Sequence, residues 1–197
     1  MKRVLSLLFL SSLVFTFSVQ SQDVGSKHEL RLGVGFISST DVMDIFSDFL
    51  ATSLTAGHYS VDNKKMTGNY SLTYRNHFSE RLSLGGTLLY SQIDTDVLLN
   101  GTKNGDSRNR YFTLAPEFEL KYLKTNFLNL YGYAGAGMTL LNQKMELEGK
   151  PSEKDDKMFF NFQLSPICLQ VGNSFGLLAE AGFGYKGVIN VGLFAKF

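Results

Sequence analysis

The sequence predicts an all-β fold: eight antiparallel strands closed into a transmembrane β-barrel. Three observations carry that prediction. Eight stretches, each about 10–15 residues long, alternate apolar and polar side chains with period two, and that length suits a tilted strand crossing a bilayer. The apolar parity carries no charge in any of them beyond Arg110, the first residue of the fourth. Short and long connections alternate along the chain, as they do when turns lie on one side of a membrane and loops on the other. Composition agrees. The 197 residues include 17 Phe, 9 Tyr and 19 Gly, with only 19% charged, a mix that favours strands over helices. A formal net charge of +1 argues against a nucleic-acid partner, which needs a basic surface. The single Cys excludes an intramolecular disulfide framework and a Cys-rich zinc site. A mean hydropathy of −0.03 excludes a polytopic helical membrane protein.

Residues 1–21 read as a signal peptide. Lys2 and Arg3 form a basic n-region, residues 4–17 an apolar core, and Val19-Gln20-Ser21 a cleavage site. The core is too short for a comfortable membrane span, which needs about 20 residues. Cleavage removes Lys2 and Arg3 and no acid, so 19 basic side chains become 17 against 18 acidic. Residues 22–197 then form the barrel domain.

The strands follow in order. Residues 28–38 set Leu30, Leu32, Val34 and Phe36 against Glu29, Arg31, Gly33 and Gly35. Residues 66–76 set Tyr70, Leu72 and Tyr74 against Asn69, Ser71, Thr73 and Arg75. Residues 81–92 set Leu82, Leu84, Leu88 and Tyr90 against Ser83, Gly85, Thr87 and Ser91. Residues 110–122 set Phe112 to Tyr122 at even positions against Thr113, Glu117, Glu119 and Lys121. In 127–141, Leu128, Leu130, Ala134, Ala136 and Met138 share one parity, and Asn129, Tyr131, Tyr133, Gly135 and Gly137 the other. In 158–172, Phe160, Phe162 and Leu164 oppose Asn161, Gln163 and Ser165. Parity blurs beyond Pro166, which predicts a bulge, because proline has no N–H for the ladder. The motif Phe112-Thr-Leu-Ala-Pro116 recurs as Phe162-Gln-Leu-Ser-Pro166. Residues 175–185 set Leu177, Ala179, Ala181 and Phe183 against Glu180, Gly182 and Gly184. Residues 188–197 set Ile189, Val191, Leu193, Ala195 and Phe197 against Asn190, Gly192 and Lys196.

Connections 76–80, 123–126 and 172–174 are short. Connections 39–65, 93–109 and 142–157 are long and polar and are expected to be outer loops. Lys186-Gly187 forms a tight hairpin. An even strand count puts both ends of the mature chain in the periplasm. The first long loop carries the only helical periodicity, over 41–55, with Val42, Ile45, Phe46, Phe49 and Leu50 on one face and Asp44, Ser47, Asp48 and Thr52 on the other. Asp41 suits the helix dipole. The expectation is a surface helix, marked by Asp44, Phe46, Asp48 and Phe49, that packs on the rim or docks a partner.

The stretch Glu180-Ala-Gly-Phe-Gly-Tyr-Lys-Gly-Val-Ile-Asn-Val-Gly-Leu-Phe-Ala-Lys-Phe197 resembles the end of the small outer-membrane β-barrel domain proteins abundant in Bacteroidota. Gly33-Val-Gly-Phe and Asp44-Ile-Phe-Ser-Asp48 are also similar to members of this group. The resemblance implies an outer-membrane location among membrane lipid and lipopolysaccharide. It also implies that Phe197 acts as the assembly signal read by the barrel-assembly machinery. Where the group has an aromatic residue, this chain has Ala195. Such barrels range from structural to adhesive to enzymatic, so the resemblance names no ligand.

The inward parity holds Glu29, Arg31, Arg75, Glu117, Glu119, Lys121, Glu180, Lys186 and Lys196. An eight-stranded barrel has an interior that side chains fill, and buried charges there must pair. Arg31, Arg75, Glu117, Glu119 and Glu180 are expected to form a lumen charge network. Leu89, Tyr131, Tyr133 and Leu178 could instead line a pocket for a small hydrophobic ligand. Lipid A deacylases of this barrel size use a His-x-Ser pair with a Glu. Here the matches are His77-Phe-Ser79, in a periplasmic turn, and His58-Tyr-Ser60, with no nearby Glu. The reading is therefore a non-enzymatic barrel with a polar, plugged lumen and no cofactor, metal or catalytic residue. Its outer loops meet an unidentified extracellular partner.

Overall fold

The computed structural model describes residues 27–54, 59–147 and 151–197. The expected signal segment lies outside them. The elements are β1 (His28–Phe36), α1 (Ser39–Leu54), β2 (Tyr59–Met66), β3 (Asn69–His77), β4 (Leu82–Leu99), β5 (Thr102–Lys124), β6 (Leu128–Leu147), β7 (Glu153–Gly172), β8 (Phe175–Gly184) and β9 (Ile189–Lys196). The ring runs β1-β3-β4-β5-β6-β7-β8-β9 and returns to β1, every pairing antiparallel. Beyond Thr67-Gly68, β2 continues the line of β3 along β4. Nine segments thus make eight staves. The seam joins the first and last strands: Phe197 N donates to His28 O at 2.9 Å and His28 N donates to Phe197 O at 3.1 Å.

Alternation decides which side chain meets which solvent. Leu32, Leu84, Leu88, Leu114, Phe160, Leu164, Leu177 and Val191 point outward and are exposed, while Glu29, Arg31, Arg75, Glu117, Glu119, Gln170 and Glu180 point inward and are buried. In water this would be inside out. In lipid it is the arrangement of a transmembrane barrel, whose ring closes within the band; beyond it, among the described residues, β2 pairs only with β4, and β7 before Gln163 only with β6. No described helix is long and apolar enough to cross a membrane; the strands are the crossing elements.

Two expected loops are largely strand. β4 runs on to Leu99 and turns straight into β5 at Asn100-Gly101, both with positive φ (51° and 78°). An Asn-Gly pair suits a two-residue hairpin because both positions tolerate that conformation. β6 likewise extends to Leu147 and β7 starts at Glu153. The period of two persists through these extensions, but its sign inverts. Gln92, Asp94, Asp96, Arg108, Arg110 and Lys144 now take the outward parity, while Ile93 and Val97 are inward and buried. A search for a charge-free outward face therefore ends at Tyr90 and Phe112, where the lipid band ends.

The two prolines of the repeat differ. At Pro166 the β7 register shifts on both sides, between Tyr131 and Tyr133 toward β6 and between Leu164 and Ile167 toward β8. Pro166 and Ile167 are both exposed, so the bulge resets parity for the rest of the strand. At Pro116 the register is unbroken, with Gly86 opposite it on β4, and pairing with β6 merely skips from Leu114 to Glu117.

The facing of β4 is directly testable. Leu84→Arg places a charge in the lipid band and should destabilise the barrel by about 2–4 kcal/mol at mid-depth. Thr87→Arg adds a cation inside, beside Glu117. Urea titration of refolding into liposomes measures both; negligible change at both positions would contradict this facing.

Candidate functional site

The interior is built around Glu117. Its carboxylate accepts from Arg75 Nη2 on β3 (2.5 Å), Thr87 Oγ1 on β4 (2.7 Å), and Tyr185 OH (2.7 Å) and Lys186 Nζ (2.9 Å) in the β8–β9 turn. Glu119 meets Arg31 Nη2 at 2.8 Å and Arg75 Nε at 3.1 Å. Glu29 pairs with Arg31 and accepts from Gln170 Nε2 at 3.0 Å. Glu180 accepts from Tyr131 OH (2.8 Å), Tyr133 OH (2.9 Å) and Asn190 Nδ2 (2.8 Å), with Arg31 Nη1 at 3.5 Å. The structure thus brings together all five residues singled out for a charge network. They come from β1, β3, β5 and β8, with Glu117 and Glu119 both on β5, so the pairs tie staves across the interior. Arg31 also lies over the Tyr131 ring, and Arg75 and Lys186 over Tyr133, at 4.6–5.0 Å from the centroids. The tyrosines considered for a hydrophobic pocket are occupied by cations and Glu180.

Lys186, counted on the inward parity, is buried as expected, and Tyr185, which that parity left unassigned, is buried beside it; both sit in the turn after β8 rather than in a strand. That turn folds inward. Tyr185 N donates to Phe162 O at 3.1 Å, Lys186 N to Gln163 Oε1 at 2.8 Å, and Val188 N to Phe36 O at 2.9 Å. Glycine makes the approach possible. A Cβ on Gly35 would lie 1.6 Å from Lys186 O, and Gly187, at φ 106°, would place one 2.2 Å from Phe36 O.

At the end holding the short turns, His77 does not engage Ser79, whose Oγ instead accepts from Leu82 N at 2.9 Å and closes the turn. Its partners are Ser83 Oγ at 2.5 Å, Glu29 Oε2 at 3.1 Å and Lys121 Nζ at 3.2 Å. Serine, histidine and glutamate are in the connectivity of a nucleophilic relay. Ser83 is fully buried, however, and within 3.5 Å of Glu119, so its hydroxyl has no open path to a substrate. Cys168 is also fully buried and its Sγ donates to Ser165 O at 3.5 Å. His58 lies outside the described residues. Phe197 is half exposed and its ring stacks on His28 at 5.9 Å.

At the opposite end, α1 begins with a reciprocal cap: Ser38 N donates to Asp41 Oδ2 at 2.6 Å and Asp41 N donates to Ser38 Oγ at 3.3 Å. Asp44, expected on a surface, is buried. Its Oδ1 accepts from Asn109 Nδ2 (2.7 Å) and Tyr111 OH (3.2 Å) on β5. Ser39 Oγ donates to Asn161 Oδ1 on β7 at 2.9 Å and Asn69 Nδ2 on β3 donates to Asp41 at 3.4 Å. The described polar residues Thr40, Asp41 and Asp44 therefore turn toward the polar interior, and Val42, Met43 and Ile45 turn outward. Helical periodicity separates two faces but does not say which one meets the protein; in a barrel the interior is the polar side. The side chains of Phe46, Asp48 and Phe49 lie outside the described residues.

Beyond the lipid band the outward face is a wall of ion pairs: Arg108–Asp94 (2.8 Å), Lys103–Asp106 (2.7 Å), Lys103–Asp96 (2.8 Å) and Lys144–Glu146. Partial burial alone would raise the Asp94 carboxyl, but hydrogen bonds from Arg108 and Gln92 outweigh it and hold the group low. Hydrogen bonds to Asp106 and Asp96 push Lys103 up to about 12. The wall encloses a shallow cleft of about 350 Å³.

No family model matches the chain and no curated protein is significantly similar to it. Among solved structures, the chain is similar to Ail, the attachment invasion locus protein of Yersinia pestis. The match to its complex with the heparin analogue sucrose octasulfate has 15% identity and a TM-score of 0.44, over 85% of this chain and 94% of that one. A second Ail structure gives 16% identity and a TM-score of 0.43 over the same shares. The barrel assignment rests on the chain's own strand pairing.

Glu117→Ala leaves Arg75 and Lys186 buried without their main partner and should lower stability by roughly 3–5 kcal/mol. Glu153→Ala, an exposed site, should change it by less than about 1 kcal/mol. Equilibrium unfolding of both variants in one detergent provides the comparison; equal effects would deny Glu117 its central place.

Proposed function

We propose that the chain is an integral outer-membrane barrel with a closed, polar, plugged lumen, both ends of the mature chain in the periplasm, and a structural or surface-interaction role exercised by its outer half. The observation that carries this reading is the pairing of an uncharged outward band with buried charges on the inward faces of the strands, Glu29, Glu117, Glu119 and Glu180 with Arg31, Arg75, Lys121 and Lys186. Charges that hold one another across an eight-stranded ring leave little room for a solute. The inward turn at Tyr185-Lys186 and the buried Asp41 and Asp44 of α1 support closure at the opposite end. On this reading chemistry with the surroundings falls to the wall formed by β4–β7. Placing that wall outside the cell and Phe197 at the periplasmic rim, where the barrel-assembly machinery works, follows from the distribution of short and long connections.

The purified barrel should migrate differently on gels before and after boiling, and an epitope inserted at Asn100-Gly101 should be labelled on intact cells. In planar bilayers it should show no steady ion-selective current. Such a current in the unmodified protein would overturn the closed lumen, and labelling only after the cells are permeabilised would invert the orientation.

A further inference from the structure

Above the lipid band the register sets like charges side by side. Arg108 on β5 lies opposite Lys144 on β6, and Lys144 opposite Lys154 on β7. All three share the outward parity of Phe112, Leu140 and Met158, the top apolar row on the same strands. One step further out, Asp96, Asp106 and Glu146 form a row of acids across β4, β5 and β6. Neighbouring strands are about 5 Å apart, and like charges directly opposite destabilise an antiparallel pair. Asp94 on β4 lies opposite Arg108 and pairs with it, which leaves the row with three cations to one acid; mixing the two rows would be more stable, so the layering calls for something outside the chain to balance the remaining positive charge.

We propose that the Arg108–Lys144–Lys154 row binds the phosphate groups of a phosphorylated glycolipid whose acyl chains lie against the apolar band directly below. This rests on the membrane reading above. Continuity argues for the occupant. The cation row stands four residues beyond the Phe112–Leu140–Met158 row, about 10 Å along the membrane normal for strands of about 3.4 Å rise tilted by about 40°. Basic side chains that reach down toward the band and the depth of the headgroup itself together span that height. Charge argues for it too. The ion pairs Arg108–Asp94 and Lys144–Glu146 involve half-exposed groups and are weak enough to exchange. Lys154 has no ion pair among the described residues, and Arg110, just beneath the row, donates to Gln92 and acts on Asp94 only at longer range. A guanidinium can grip a phosphate with two parallel hydrogen bonds. The neighbouring cleft is lined by four cations, Lys65, Lys103, Arg108 and Lys144, and four carboxylates, Asp94, Asp96, Asp106 and Glu146; it gives a headgroup a concave seat on its cationic side, and the acid row limits how far outward a phosphate can sit.

The test uses the full barrel in phosphatidylcholine nanodiscs doped with diphosphoryl lipid A or with its dephosphorylated form, and native mass spectrometry to read lipid retention. The wild type should retain the diphosphoryl form preferentially. Arg108→Gln/Lys144→Gln/Lys154→Gln should weaken that retention on the order of tenfold or more, Lys154→Gln alone should weaken it less, and Lys157→Gln, at the opposite parity, should leave it unchanged. Heat-modifiable gel mobility confirms that each variant is folded. Equal retention of both lipids, wild-type preference in the triple variant, or displacement of lipid A by inorganic phosphate alone would overturn the proposal. A barrel that inserts into the nanodisc but shows no preference sinks this inference only; failure to enter any bilayer sinks the membrane reading with it.

Discussion

The carboxylate of Glu117 is the constraint on which the interior depends. Four donors from β3, β4 and the β8–β9 turn converge on it, and two of them carry the positive charge that makes its burial tolerable. A carboxylate without partners in that position would be several kcal/mol out of balance. Arg75 in turn needs Glu119, Glu119 needs Arg31, and Arg31 needs Glu29 and Glu180. The barrel radius is therefore set by hydrogen-bond lengths across the interior as well as by strand count.

Most of the fold was legible because lipid imposes a strict rule on every second residue. Leu84, Phe118, Leu164 and Leu193 lie on one parity and Thr87, Glu117, Gln163 and Gly192 on the other, which is enough to assign face and strand. The rule lapses where the bilayer ends. From Ile93 and Asp94 onward the apolar residues are the inward ones, so a pattern tuned to lipid reads real strand as loop. Asn100-Gly101 marked the hairpin, but only a reader expecting strand there would use it.

The site was legible in part for the same reason. Parity places Arg31, Arg75, Glu117, Glu119 and Glu180 inside, but it does not pair them. Pairing depends on the stagger of strands around the ring, which no single segment encodes. Tyr185 enters the interior from a turn, and the approach that lets it do so is written in Gly35, about 150 residues away in sequence and touching only through the closed ring. Asp44 shows the opposite failure: its helical face was visible, but the side on which a barrel keeps its polar contents was not applied to it.

The seam between β1 and β9 has a kinetic consequence. Gln170 on β7 reaches Glu29 on β1 across 141 residues, and β1 comes beside that half of the ring only once the first and last strands have met. Before that, a curved open sheet presents its charged inner face to water and gains nothing from desolvating it. Contacts between distant parts of a chain form slowly because loop entropy must be lost first. Closure here is thus an all-or-none event in which dehydration of the charges and pairing of the chain ends coincide, and an unclosed ring has no stable resting point within the bilayer.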